Sequence, residues 1–418
     1  MTKILALIFI LSVFIFNVVR SQEGDENKFG IKFSGFIKND MAYDSRQTVS
    51  AREGHFLLWP SPEDPDPDGN DANAKSNFNM LAIQSRLSGK ITGPDAFGAK
   101  TSGVLEGDFF GQADDNIDLF RLRHAFVKLT WTNTELLAGQ TWNPLFVTGC
   151  FPGTVSFNTG VPFQSFSRNP QIRVTQTLGG LQLIGALLSQ RDYSSRGING
   201  PSSSYLRNSG LPDLHFQIHY KTNGTATNLL IGSGIAYKTI VPRLKSELDY
   251  VVDEAVSGIT AIGFAKLETQ LFTFKLQGRY GENIADVLSI SGFAVKDINN
   301  PTTGEQSYTP LKNMTVWGEV HTNGKDIQVG LFGGYTKSMG TKKTMSSTDN
   351  AVYGLGTNIE SLMRISPRVI FNSGKVRFAA ELEYTDAKYG ANYDVNYKPE
   401  TTTSVANIRT LLSTYYFF

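Results

Sequence analysis

Cysteine and long apolar runs are nearly absent from this chain of 418 residues. The single cysteine, Cys150, excludes an internal disulfide and therefore the class of small disulfide-stapled domains. Beyond the first 21 residues no apolar run reaches the length that a membrane-spanning helix requires. Lysine and arginine number 39 against 38 acids, and such a balance argues against a nucleic-acid partner.

The amino terminus has the pattern of a secretory signal peptide. Lys3 is followed by an apolar run, Ile4–Val19, and then by Arg20 and Ser21. We place cleavage after Ser21, so that residues 1–21 are removed and residues 22–418 form the mature chain. The alternative is a retained anchor helix, for which the run is short. Loss of Lys3 and Arg20 leaves 37 bases against 38 acids, a net charge of −1.

Catalytic motifs are also missing. The sequence contains no Gly-x-Ser-x-Gly, no His-Glu-x-x-His and no phosphate-binding loop. We therefore expect no catalysis, with a membrane-embedded lipase as the alternative that a hydrolysis assay would reveal.

What the chain does contain is a rhythm of sixteen alternating stretches, from about Phe29–Tyr43 to about Val405–Phe418. The gaps between them are alternately short and long, and several short gaps are hairpin signals such as Gly179-Gly180, Asn223-Gly224 and Asn323-Gly324. This order predicts an all-β fold: a 16-stranded antiparallel transmembrane β-barrel with short periplasmic turns and long extracellular loops.

The faces of the stretches support a barrel. In Leu271–Tyr280, for example, Phe272 and Phe274 share one face, while Thr273 and Lys275 share the other. A soluble sandwich would alternate too, but it would not need the strict short–long order. We interpret Val287–Val295 as part of an outer loop, because counting it as a strand would break the even number.

The third long gap, residues 143–169, is rich in phenylalanine and has one ionisable residue, Arg168. So apolar a loop would be poorly placed in water, and we expect it to fold inward and constrict the bore. The alternative is that it packs on a neighbouring subunit. Its phenylalanines are Phe146, Phe151, Phe157, Phe163 and Phe166.

Several charged residues fall on the polar faces and are predicted to line the pore or its constriction. Arg121, Arg123 and Arg173 should lie in the outer halves of their strands and form a basic cluster with Arg86 and Arg168. Fixed guanidinium groups attract carboxylates, so the hypothesis is a preference for anionic solutes. The alternative is a balanced set of wall charges. The predicted residues are Arg86, Arg121, Arg123, Arg168, Arg173, Arg279, Arg377, Glu106 and Asp108.

The first long gap contains an acidic, proline-rich stretch. Asp64, Asp66, Asp68 and Gly69 have the spacing that begins a calcium loop, but Lys75 stands where a bidentate glutamate belongs. A structural calcium ion is one interpretation and a solvated acidic loop is the other. No other cofactor is expected.

Five segments carry a resemblance to a known family. They are Phe33-Ser34-Gly35-Phe36, Asp44-Ser45-Arg46-Gln47, Ala51-Arg52-Glu53-Gly54-His55-Phe56, Leu122-Arg123-His124-Ala125-Phe126-Val127 and Leu137-Ala138-Gly139-Gln140-Thr141-Trp142. Over about the first 180 residues the chain resembles the DcaP-like outer-membrane porins of Gram-negative bacteria. The resemblance implies a trimeric 16-stranded channel, some relatives favouring dicarboxylates and similar anions. Arg46 and Arg52 match family positions without an assigned solute contact.

The ending Tyr415-Tyr416-Phe417-Phe418 resembles the signal read by barrel-assembly machinery. The sequence therefore predicts a homotrimeric diffusion channel in the outer-membrane lipid for small polar or anionic solutes. The alternative is a receptor or adhesin whose barrel only displays its loops.

Overall fold

A closed ring of sixteen antiparallel strands dominates the structure, a computed structural model that describes residues 29–418. Each strand pairs with the next along the chain, and the last pairs back onto the first, with Phe36 opposite Phe417 and Asp44 opposite Arg409. The 16-stranded barrel is thereby confirmed. The predicted signal peptide lies outside the described residues.

Most bounds lie within a few residues of the predicted stretches, but the second strand, predicted over about Phe78–Ile91, is Arg86–Ala96, and Asn77–Leu81 is a separate strand. In chain order the ring strands are β1 Gly30–Asp44, β2 Arg86–Ala96, β3 Ala99–Asp108, β4 Arg121–Thr130, β5 Thr134–Trp142, β6 Arg168–Leu178, β7 Leu181–Leu188, β8 Asp213–Asn223, β9 Asn228–Ile240, β10 Val256–Glu268, β11 Phe272–Glu282, β12 Glu305–Thr322, β13 Ile327–Thr341, β14 Ile359–Ser373, β15 Val376–Tyr393 and β16 Pro399–Phe417.

Shorter elements lie in the connections. Asn77–Leu81 leads into β2 and pairs with the second half of β1. Ser291–Asn300 is a strand that overlaps the segment interpreted as loop, but it pairs with the start of β12 and with Val352–Leu355 outside the ring. The even count therefore holds. In the described part of the chain no helix is long and apolar enough to cross a membrane.

The two faces of each strand differ sharply. On β13, Val329, Leu331 and Tyr335 are exposed on the outward side, whereas Phe332 and Thr336 are fully buried on the inward side. Exposed apolar side chains on one face of a closed ring are what a lipid-facing wall requires. Tyrosines near the long-loop ends form an outward aromatic girdle: Tyr237, Tyr280, Tyr335 and Tyr384.

The apolar core sits inside the ring. A sixteen-stranded ring is too wide for strand side chains to fill. Here the space holds three segments of the long connections, which we call the first (residues 48–60), second (residues 143–167) and third (residues 283–290) inserted segments. Their side chains, such as Phe56, Phe166 and Leu288, form one buried cluster with Trp317 and Phe332 of the wall.

The orientation of the faces gives a direct test. Ile365 lies outward near the middle of β14, about half exposed. Replacing it by arginine puts a charge into lipid, and we expect Ile365→Arg to lower the free energy of unfolding by about 2–4 kcal/mol. Urea unfolding in lipid vesicles, followed by tryptophan fluorescence, measures this. The matched control is Gln182→Arg, an inward position on β7; equal losses in both variants would contradict the assigned faces.

Candidate functional site

The first inserted segment is a hairpin, Thr48–Ala51 with Phe56–Pro60, held inside the lumen by its own backbone carbonyls. Arg364 Nη2 donates to Leu58 O at 2.7 Å, Arg409 Nη2 to Gly54 O at 2.7 Å, and the Tyr389 hydroxyl to Pro60 O at 2.7 Å. Phe56, Leu57 and Trp59 are buried. Sequence reasoning missed this insertion, although Phe56-Leu57-Leu58-Trp59 is an unusually apolar run for a long loop.

The turn of that hairpin has a constrained backbone. Arg52, Glu53 and Gly54 are left-handed in succession, with φ of 55°, 49° and 86°. The conformation turns the Arg52 guanidinium toward Phe110 O, to which Nε donates at 3.2 Å. Next in sequence, His55 is buried with Nε2 3.0 Å from Asp40 Oδ2. Burial lowers the pKa of His55, and the Asp40 carboxylate opposes that shift.

The second inserted segment is held by carboxylates of the inner wall. Glu381 accepts from Val155 N at 2.7 Å and Ser156 N at 3.2 Å, and Glu383 accepts from Asn158 Nδ2 at 2.9 Å. Glu319 accepts from the Gly153 amide. These bonds place the segment against β12, β15 and their neighbours.

Lysines of the barrel wall donate hydrogen bonds to backbone carbonyls of the same segment, whereas the glutamates accept from its backbone amides. Lys38 Nζ donates to Val155 O and Lys275 Nζ to Phe151 O, both at 2.9 Å. Of the five phenylalanines of the predicted loop, Phe151 is 37% exposed and the other four are buried. The four are Phe146, Phe157, Phe163 and Phe166.

The third inserted segment follows β11. Val287 O accepts from Phe166 N at 3.1 Å, so this segment packs directly on the second. Its Asp286 forms an ion pair with Lys238 and accepts from Gln190 Nε2 at 3.0 Å. Only a weak signal, the apolar residues that flank Asp286 between Ile284 and Leu288, could have indicated the insertion.

Most predicted pore arginines meet in one cluster on β2, β3, β4 and β6. Arg121 Nε and Arg123 Nη1 each lie 2.8 Å from Asp108, and Arg123 Nε lies 2.8 Å from Glu106. Arg86 Nε is 3.6 Å from Glu106 Oε1. The acids therefore offset much of the basic charge.

Arg168 joins this cluster through a residue that sequence reasoning missed. Asp192, in the connection after β7, lies 2.6 Å from Arg168 Nη2 and 3.7 Å from Arg121 Nη1. Arg168 also lies over the Trp142 ring at 5.0 Å, and Trp142 stacks on Phe146 at 3.9 Å. The cluster thus braces the second inserted segment.

Arg173 stands apart from these ion pairs. Its Nε donates to Gln171 Oε1 at 2.9 Å and its Nη2 to Trp142 O at 2.6 Å, which are both neutral acceptors. The guanidinium is half-buried on the inward face of β6. Arg173 therefore forms no ion pair with another described residue.

The last two predicted arginines have different surroundings. Arg279 is buried and donates to Pro162 O at 3.4 Å and Thr315 Oγ1 at 3.1 Å, so it anchors the second inserted segment. Arg377 Nε donates to Asn372 Oδ1 at 2.8 Å near the short-turn end, away from the arginine cluster.

The lumen near the short turns is basic, a feature that the sequence pattern did not single out. Among the described residues, Lys32, Lys90 and Lys221 point inward without a carboxylate partner. Lys128 and Lys266 are paired with Glu135 at 2.9 Å and Glu268 at 2.7 Å. Bases therefore exceed acids at this mouth, which Lys275 and Arg377 also flank.

The acidic stretch lies exposed outside the ring. Asp66 Oδ1 accepts from Asp68 N at 2.9 Å and Asn70 N at 2.8 Å, and bonds from Asn70 lower the pKa of Asp66. Within residues 29–418 no group of three His, Cys, Asp or Glu side chains is arranged to hold a metal. Calcium binding through Asp64, Asp66 and Asp68 stays a prediction.

The thiol of Cys150, in the second inserted segment, faces the barrel wall at β10. It is buried, with Sγ 3.4 Å from Ala265 O. Burial raises its pKa to about 11, so the thiolate is scarce at neutral pH. Cys150 is therefore a packing residue and a convenient reporter of the segment's position.

Comparison with known proteins gives a family. The model of the family described as DcaP outer membrane protein matches residues 17–224. No curated protein sequence gives a significant match.

Solved structures share the fold. The outer membrane channel DcaP of Acinetobacter baumannii matches with a TM-score of 0.68 and 16% identity, covering 96% of this chain and 100% of that one. An anion-selective porin from Comamonas acidovorans matches with 0.55 and 13%, covering 94% and 100%. OmpT of Vibrio cholerae in its trimer form matches with 0.54 and 10%, covering 94% and 100%. At these identities the likeness concerns the fold.

The anchoring of the second inserted segment is testable through Cys150. Glu319→Ala removes the acceptor of the Gly153 amide and leaves Arg368, at 2.9 Å, unpaired. The loss of a hydrogen bond to a charged group costs about 1.5–3 kcal/mol, so the second inserted segment should leave the wall more often and expose Cys150. We therefore expect maleimide labelling of Cys150 in the folded protein to become about tenfold faster or more.

The control variant is Glu268→Ala, whose carboxylate pairs with Lys266 and does not contact the segment. Heat-modified mobility on gels confirms that both variants are folded. Unchanged labelling in the Glu319 variant would show that this carboxylate does not hold the segment.

Proposed function

Through residues 17–224 this chain belongs to the DcaP outer membrane protein family, and we propose that it is a porin for passive diffusion of small hydrophilic solutes with a preference for anions. The chain is an outer-membrane β-barrel. Its short turns face the periplasm and its long loops face outward, as in other such barrels.

The observation that carries the proposal is a wide closed ring narrowed by inserted segments. Lys38, Lys275, Glu319, Arg364 and Glu381 tie these segments to β1 and to β11–β15. Gln217 of β8 and Lys238 of β9 bind them as well. Across the lumen, Arg86 and Glu106 retain 21% and 15% side-chain exposure. A sixteen-stranded ring leaves room for water beside these segments. The proposed solute path runs along the inner face of β2–β7, with the second inserted segment as its constriction.

Charge supports the anion preference. Arg173 has neutral partners, and the periplasmic mouth carries Lys32, Lys90 and Lys221 without carboxylate partners in the described chain. A lumen lined by one sign of charge concentrates the opposite ions and sets selectivity. The anion-selective porin from Comamonas acidovorans shows that this fold is compatible with such selectivity.

Assembly as a homotrimer is part of the proposal. The relative OmpT of Vibrio cholerae occurs in a trimer form. Recognition of Tyr415–Phe418 by barrel-assembly machinery is the other proposed partnership.

Selectivity is measured by the reversal potential of planar bilayers under an about tenfold KCl gradient. We expect the wild type to favour chloride and Arg173→Gln to move the reversal potential toward zero, because the variant removes the least neutralised guanidinium of the path. Lys375→Gln, in the turn between β14 and β15, serves as the charge-matched control and should leave the value unchanged. Cation selectivity in the wild type would refute the anion preference.

Pore size is tested at the first inserted segment. Replacing residues 48–60 by a short Gly-Ser linker removes a hairpin from the lumen, and we expect single-channel conductance to rise at least about twofold, since the ring itself stays wide. Shortening the exposed stretch 64–70 is the control and should leave conductance unchanged. A variant that conducts no better than the wild type would place the path away from this segment.

A further inference from the structure

Lysines interrupt the apolar outward face of the barrel on one side. Lys312 on β12, Lys337 on β13 and Lys388 on β15 occupy outward positions, as the register with Met314, Ser361 and Ser404 shows. Lys342, directly after β13, reaches the same side. We call these four residues the lysine row.

The row lies at the level where the lipid-facing belt ends. From Ile327 at the short-turn end of β13 to Lys337 the strand rises roughly 23 Å, given ~3.3 Å per residue and a tilt of about 45°. The apolar band of such barrels is about 25 Å tall. The girdle tyrosines Tyr335 and Tyr384 lie just below the row, so the lysine ammonium groups reach the headgroup layer of the outer leaflet.

Two lysines of the row have carboxylate partners and two are free of them. Glu360 holds Lys337 at 2.7 Å, and Glu282 holds Lys342 at 3.0 Å. Lys312 and Lys388 form no ion pair with another described residue, and Lys388 is exposed. The acids therefore orient half of the row and leave two ammonium groups for a ligand.

A hydroxyl-rich surface continues the row toward the long loops. In β16, Thr402 and Ser404 are exposed on the outward face, and Ser404 lies opposite Lys388 in the register. The Ser404 hydroxyl donates to Asp386 Oδ2 at 2.6 Å, which leaves its oxygen free to accept a further hydrogen bond. The strands β15 and β16 extend past the row to Tyr393 and from Pro399, so a wall of protein stands beside the headgroups. At the same end of β9 and β10 the outward residues Tyr237, Thr239 and Ser257 carry no charge.

We propose that the lysine row and the adjoining hydroxyls of β16 bind a phosphorylated glycolipid of the outer leaflet. Ammonium groups bind phosphate, and serine and threonine hydroxyls hydrogen-bond sugar oxygens. The acyl chains of the same molecule lie on the apolar face below, against Met314, Tyr335 and Met363. This site is independent of the proposed path through the lumen.

The test uses the full barrel in detergent with bisphosphorylated lipid A as the probe and native mass spectrometry to count bound lipid. We expect one saturable site, and about tenfold weaker binding in Lys312→Gln/Lys388→Gln, because two phosphate contacts are lost. The control Lys325→Gln/Lys375→Gln removes the same charge at the short-turn end and should bind as the wild type does. Bilayer conductance, measured in parallel, should be the same in all three proteins.

Three outcomes would overturn the proposal. The first is that the row variant and the control bind lipid A equally well. The second is that the wild type binds dephosphorylated lipid A as well as the bisphosphorylated form. The third is that millimolar inorganic phosphate displaces lipid A, which would indicate a site for free phosphate. Equal binding of phosphatidylglycerol would also count against it, since that lipid has phosphate but no sugar ring. Far-ultraviolet circular dichroism checks that the variants keep their β-structure.

Discussion

Everything in this structure depends on the pairing of β1 with β16. A sheet in hydrocarbon has no water to satisfy the N–H and C=O groups of a free edge, so only closure makes the wall stable in lipid. The pairing runs from Phe36–Phe417 to Asp44–Arg409, and Phe418 N adds a bond to Gly35 O. Once closed, the wall fixes which side chains face lipid and which face the lumen.

Closure at sixteen strands creates a second requirement, because the lumen is wider than wall side chains can fill. The chain meets it by returning three loop segments to the interior. Their backbone polar groups would be costly to bury alone, and inward Arg, Lys and Glu side chains satisfy them. Many charges that resemble pore-lining groups are therefore anchors, and the charges that remain free are fewer and lie elsewhere.

The strands could be predicted from the sequence because their signal is local. Alternation along β11 and β13 and the glycine turns between hairpins gave the number of strands and the two faces of these strands, although β2 was placed several residues too early. The same alternation, counted from the turns, brought Arg86, Arg121, Arg123 and Arg168 to one region. It could not show that Asp192 offsets them as well, since that contact joins a strand to a separate loop. The first and third inserted segments were missed for that reason: their partners lie up to 355 residues away, as in the bond from Arg409 to Gly54.

Arg364 connects two inserted segments to a late strand of the barrel, and this bears on how the molecule assembles. One guanidinium donates to Leu58 O of the first inserted segment and to Val161 O of the second, at 2.7 and 2.8 Å. Arg409 and Tyr389, which hold the same hairpin, also come from the carboxyl-terminal strands. A hairpin made early in synthesis thus gains several of its backbone hydrogen bonds from strands made last. The last strands therefore close the barrel and fix the first inserted segment in the lumen in the same step. A barrel without these strands would be neither closed nor narrowed.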